Sequence, residues 1–183
     1  MENEIAITGI LPQTKQQAVT LLKASPMLYW ESINPKTMHD VFQSPAVGLA
    51  TIRNEIGEQK LQAIMVKWLN SFISFYSTNG TMDAYQVADT INLIIDAYPY
   101  YTMYDFKLFF KLAKLGYYGE VYGRIDGSVI LSWLRKYDIQ RDTEAMELSI
   151  KEQEQYKDLM NRPQQQGMFY QEYLKWKENH KQQ

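Results

Sequence analysis

Apolar residues recur every third or fourth position along most of this chain, the spacing that puts them on one side of an α-helix. Between Thr14, a capping residue, and Ala24, the residues Ala18, Leu21 and Leu22 share a face, and Ser25-Pro26 ends that helix. Asn34-Pro35 and Ser44-Pro45 each pair a cap residue with proline at the first helical position, which predicts short helices over 35–42 and 45–56. Gly57 marks a break. Over 58–77, Leu61, Ile64, Met65, Trp68, Leu69, Phe72, Ile73 and Tyr76 recur at helical spacing.

Asn79-Gly80 reads as a turn. A helix over 82–97 follows, with Val87, Ala88, Ile91, Ile94 and Ile95 inward and Pro99 as its stop. Thr102 and Asp105 have capping-box spacing, so the next helix runs from 103 to 115, with Gly116 as its C-terminal residue. Three glycines in 116–126 indicate an ordered loop, and Asp126-Gly127 either caps the following helix or forms a turn. That helix carries Val129, Ile130, Trp133, Leu134 and Tyr137, and it extends, increasingly polar, towards Met160. The polar stretch 161–167 is a plausible linker to an amphipathic tail that presents Phe169, Tyr170, Tyr173, Leu174 and Trp176. Only the first ten residues could be extended. The predicted class is all-α: an irregular multi-helix bundle over 1–137, an extended polar helix over 138–160, and a linker with a docking helix over 161–183.

With 183 residues, 45% of them apolar and 22% charged, the chain can bury a core. It has no cysteine, which excludes disulfides, thiolate metal sites and cysteine nucleophiles. His39 and His180 are far apart in sequence, which argues against a histidine pair or a zinc site. The acids in MENEIAITGILPQ do not suit a signal peptide, and no apolar run is long enough to span a membrane, so the expected location is the cytoplasm.

The net charge of −2 would not hold the whole protein on DNA or an anionic membrane. Charge is unevenly spread, however. Residues 98–137 hold eight of the fourteen tyrosines and six bases against three acids. On the helix over 103–115, Lys107, Lys111 and Lys114 fall within about 60° of arc. They form either a phosphate-binding ridge or a solvated face. In the loop that follows, Tyr117, Tyr118 and Tyr122 either stack on bases or plug a helix junction. Arg124 either meets a phosphate or bridges to Asp126 across the turn. Arg135 and Lys136 complete the candidate surface. Trp68 and Trp133 belong to apolar stripes and read as core.

No phosphate-binding loop or dinucleotide fingerprint is present, the aspartates at 83, 89 and 96 lack partners for a metal site, and acid–base candidates do not cluster. No cofactor and no enzymatic activity are therefore expected. The tail, with Lys175, Lys177 and Lys181, suits docking in a partner's groove, on its own domain or on a second copy.

The elements D-F-K-L-F-F, Y-G-x-x-Y-x-R-I-D-G and W-L-x-x-Y stand here at Asp105–Phe110, Tyr118–Gly127 and Trp133–Tyr137. They resemble a pattern found in uncharacterised proteins of bacterial phages and mobile elements, some of which look like replication accessory or helicase-loader-type proteins. The resemblance covers 83–150. It implies a non-enzymatic adaptor in DNA replication that binds single- or double-stranded DNA, a replication protein such as a helicase, or both. A loader of this kind would work by binding alone, because the chain lacks the ATPase motif. The alternative is a structural or regulatory helical protein that binds only protein, a second copy included.

Overall fold

The computed structural model describes residues 11–76, 82–161, 174–175 and 177–178, with side chains in the last long helix described as far as 157. All the regular elements among them are helices. These are α1 (Lys15–Ala24), α2 (Pro26–Ser32), α3 (Met38–Phe42), α4 (Leu49–Ile56), α5 (Glu58–Ile73), α6 (Ala84–Ala97), α7 (Met103–Lys114) and α8 (Gly127–Asn161). The chain is all-α, as its periodicity predicts. None of these helices is long and apolar enough to cross a membrane. The expected extended N-terminus, the Asn79-Gly80 turn and the linker lie outside the described residues.

Local capping explains where the short helices begin, and here the structure corrects the proline-based reading. Ser25 does not simply stop α1. Its backbone N–H closes α1 on the Leu21 carbonyl while its hydroxyl accepts from Leu28 N–H to open α2, with Pro26 at the first position. Proline does not open the next two helices. Asp40 accepts from Lys36 and Thr37 N–H, at 2.7 and 3.0 Å, and this capping box moves the start of α3 to Met38. Helix α4 starts at Leu49 without a side-chain cap. Its first two N–H groups donate instead to the carbonyls of Tyr101 (2.8 Å) and Pro99 (2.9 Å). That backbone approach favours glycine at 48, because a Cβ there would sit 3.0 Å from the Pro99 oxygen and the neighbouring backbone would have to give way. Gly57, at φ +87°, turns α4 into α5.

Two compact units divide the chain, Met1–Glu144 and Ala145–Gln183. The first extends beyond residue 137 because the next turn of α8 is tied into it. Asp138 accepts from the hydroxyls of Tyr100 and Tyr101, Gln140 accepts from Tyr118, and Arg141 pairs with Asp105. In the second unit, Met146, Ile150 and Tyr156 are exposed.

Inside the first unit α1 packs on α2, α3 on α7, and α5 on both α4 and α6. The core is unusually aromatic. Trp30 stacks on Trp68 with centroids 4.2 Å apart, and Phe72 stacks on Phe110 at 4.5 Å. Phe109 meets Phe72, Phe110, Tyr118 and Tyr137. Of the residues expected inward on α5 and α6, Ile64, Tyr76 and Ala88 are only half-buried, and Thr90 takes a buried place instead.

Burial holds the phenols of Tyr29, Tyr101, Tyr118 and Tyr137 above the usual tyrosine range and pushes Tyr76 up to about 12. The folded state thus favours the neutral phenols. Their contribution to stability is complete below pH 10, the ordinary value, and is lost as pH rises through the raised values. An alkaline titration should show these phenolates forming together with loss of helical circular dichroism. Their ionisation near pH 10 with the helix signal intact would contradict the burial.

Candidate functional site

The capping box read from Thr102 and Asp105 does two jobs. Asp105 Oδ2 accepts from Thr102 N–H (2.7 Å) and its hydroxyl (2.8 Å), which starts α7. Its other oxygen accepts from Tyr137 (3.0 Å) and Arg141 Nε (2.8 Å). Asp105 is fully buried, and the Arg141 guanidinium lies over the rings of Phe42, Tyr100 and Tyr101. A fully engaged buried carboxylate fixes α7 relative to α8 and to the 98–102 turn. Both of its oxygens are occupied by structural donors.

The rotation of α7 follows from this anchor. With Phe106, Phe109, Phe110 and Ala113 in the core, Lys107, Lys111 and Lys114 turn towards α2 and α5. They line a cleft of about 580 Å³ with Trp30, Asn34, Trp68, Ser71, Phe72, Phe75, Phe110 and Leu115. Lys111 and Lys114 stay exposed on this wall, and only Lys107 leaves the solvated face. Lys107 is half-buried. Its ammonium donates to the Trp30 carbonyl at 2.8 Å and sits 4.7 Å from the Trp30 ring centroid. Lys114 sits 4.9 Å from the centroid of Phe75 and 5.9 Å from that of Phe72. Burial lowers the pKa of both amines; for Lys107, Lys114 lowers it further while Glu31 opposes. Lys111 is exposed at the same wall.

No acid lines the cleft, and none of the three lysines forms an ion pair among the described residues. Each ammonium carries three donors, so most of this hydrogen-bonding capacity faces open space. Trp68 Nε1, buried behind the same wall, has no hydrogen-bond partner among the described residues. Phe75 and Leu115 are 55% and 65% exposed, which leaves apolar surface beside the charge. The arrangement can hold an anion next to a flat apolar group.

The structure does not gather the rest of the predicted surface here. Tyr118 is buried, stacked on Phe109 at 5.7 Å, so it belongs to the core and not to a contact face. The carbonyl of Tyr118 accepts from Lys136, which is thereby given a structural role. Tyr117 and Tyr122 are exposed, Tyr122 donating to Glu120. Arg124 pairs with Asp126 at 3.3 Å and lines a separate depression with Asp89, Gln86 and Leu131. Asp126 also accepts from Val129 N–H and the Ser128 hydroxyl, which settles the open choice: it caps α8. Arg135 is exposed on α8. In the tail, Leu174 is an exposed helical residue, while Phe169, Tyr170, Tyr173 and Trp176 lie outside the described residues.

Sequence reasoning missed Trp30, Asn34, Ser71 and Phe75 as cleft residues. Phe75 carried a signal, since it is a large aromatic off the apolar stripe that ends α5.

More than half of the chain, residues 81–183, matches a family of unknown function, DUF6633, and the chain belongs to that family. The matched region includes α6, α7 and α8 and so supplies all three cleft lysines, while Trp30, Trp68 and Phe75 precede it. No curated protein and no solved structure matches the chain.

Proposed function

We propose that this chain is a non-enzymatic adaptor that captures a polyanionic partner in the cleft between α2, α5 and α7. The observation that carries the reading is the set Lys107, Lys111 and Lys114 on one wall, with no acid among the lining residues, beside Trp30 and Phe75. Three cations brought together repel one another; among the described residues none of the three forms an ion pair, and Glu31 opposes the repulsion at Lys107 alone. An anionic ligand would offset it. The setting suggested by the resemblance, replication in a phage or mobile element, supplies such partners as nucleic acid and acidic protein surfaces. The tail serves this role as a second attachment point.

The wild-type protein should bind a flexible polyanion with strong salt dependence. For a single-stranded oligonucleotide, three lysine contacts give a log–log salt slope of roughly −2. Fluorescence anisotropy across a salt series measures it. Absence of binding to nucleic acid, polyphosphate and polyglutamate alike, at low salt, would remove the reading. A helical protein that binds only its own kind or a neutral partner would then be the better account.

A further inference from the structure

We infer that the partner in this cleft is an unpaired nucleic-acid strand, with a base laid against Phe75 and its phosphates held by Lys111 and Lys114. This rests on the polyanion reading above and makes it specific. The Lys114 ammonium lies 4.9 Å from the Phe75 ring centroid, so an anion held by Lys114 is placed beside that ring. Phe75 is more than half exposed, and it leans edge-on against Tyr76 at 5.1 Å. Its ring is therefore steadied and still accessible.

At the floor of the cleft Trp30 and Trp68 stack on each other, Lys107 sits over Trp30 and Trp68 is buried, so Phe75 is the ring left open to a base. One open ring beside two exposed ammonium groups matches one base flanked by phosphates along a single strand. The polar groups Asn34 and Ser71 are available to base edges. A cleft of about 580 Å³ is of the size that receives small-ligand groups, and a duplex offers phosphates to the lysines but no base face to Phe75, because its base faces are covered by stacking. An acidic peptide would use the lysines but would gain nothing specific from an exposed ring face.

The test compares wild type with Phe75→Ala and Phe75→Trp, using full-length protein and anisotropy. The probes are an oligothymidine, a duplex of equal length, polyphosphate and polyglutamate. The inference expects the oligothymidine to bind more tightly than the duplex. Phe75→Ala should weaken it by roughly five- to 150-fold, the loss of one stacked base. Phe75→Trp should retain or improve binding, and it keeps the test decisive if the alanine variant folds poorly. Polyphosphate affinity should be unchanged in both variants. Equal affinity for strand and duplex, or oligothymidine binding indifferent to residue 75, would overturn the unpaired-strand inference while the polyanion cleft stands. Polyglutamate binding tighter than oligothymidine would overturn it in favour of an acidic protein partner. Failure of every probe would overturn the polyanion reading as well.

Discussion

Asp105→Ala should destabilise the protein by about 3–5 kcal/mol, the usual cost of removing one partner from a buried ion pair. Asp105 is fully buried and accepts from Thr102, Tyr137 and Arg141. Its loss removes the carboxylate half of the α7 capping box and strands the Tyr137 hydroxyl. It also leaves the Arg141 cation, whose side chain is 17% exposed, among Phe42, Tyr100 and Tyr101 with no counter-charge. Arg141→Ala should be damaging for the mirror reason. The double variant should cost clearly less than the sum of the two, because the second change removes a group already stranded. Tyr137→Phe, which deletes one hydrogen bond and keeps the ring, should cost only about 1 kcal/mol. Urea unfolding of the four variants measures this. A cost below about 1 kcal/mol for Asp105→Ala, within the range of an exposed pair, would show that the network does not anchor α7.

Replacing Lys107, Lys111 and Lys114 together should reduce polyanion binding by orders of magnitude and take roughly two units off the salt slope. A solvated face would accept three alanines without loss of stability, but the structure corrects that expectation at one position. Lys107 donates to the Trp30 carbonyl and covers its ring, so Lys107→Ala should itself cost about 1 kcal/mol. Lys114 contributes a smaller cation–π term against Phe75. Lys107→Gln with Lys111→Gln and Lys114→Gln keeps a donor and the aliphatic stems while removing the charge, and it is the cleaner variant. Binding equal to wild type in that protein, with its melting unchanged, would move the ligand away from this wall. Arg124→Gln is the control: paired with Asp126 outside the cleft, it should leave affinity close to wild type.

The helical class was legible because periodicity survives translation into structure: α1, α5, α6 and α7 begin and end within a few residues of where their caps place them. The starts of α3 and α4 were not. Proline at the first position is one way to open a helix, but a neighbouring carboxylate at Asp40 and distant carbonyls at Pro99 and Tyr101 provided stronger acceptors. The second of these is a tertiary contact, and nothing local in the sequence announces it. The lysine face of α7 was legible from spacing alone. What it faces was not, because Trp30 and Phe75 come from α2 and the turn after α5, far away in sequence. The tyrosine-rich loop misled for a related reason. Tyr117 and Tyr118 are adjacent and chemically identical, yet one is 69% exposed and the other 4%. Only the path of the backbone after Gly116, at φ +82°, decides which ring turns inward. Arg141 gave no signal at all, since it follows the stretch in which aromatic and basic residues are dense.

The proposed place of the anionic partner is the lysine–aromatic cleft. The most direct measurement is a titration of isotope-labelled protein with an unlabelled oligothymidine, followed by amide and aromatic NMR shifts. The account predicts that Trp30, Ser71, Phe75, Lys107, Lys111 and Lys114 shift together and saturate at one ligand concentration, while Arg124, Asp126 and Leu131, in the separate depression, stay still. Saturable binding with shifts confined to the 117–126 loop or to α8, and none in the cleft, would contradict it.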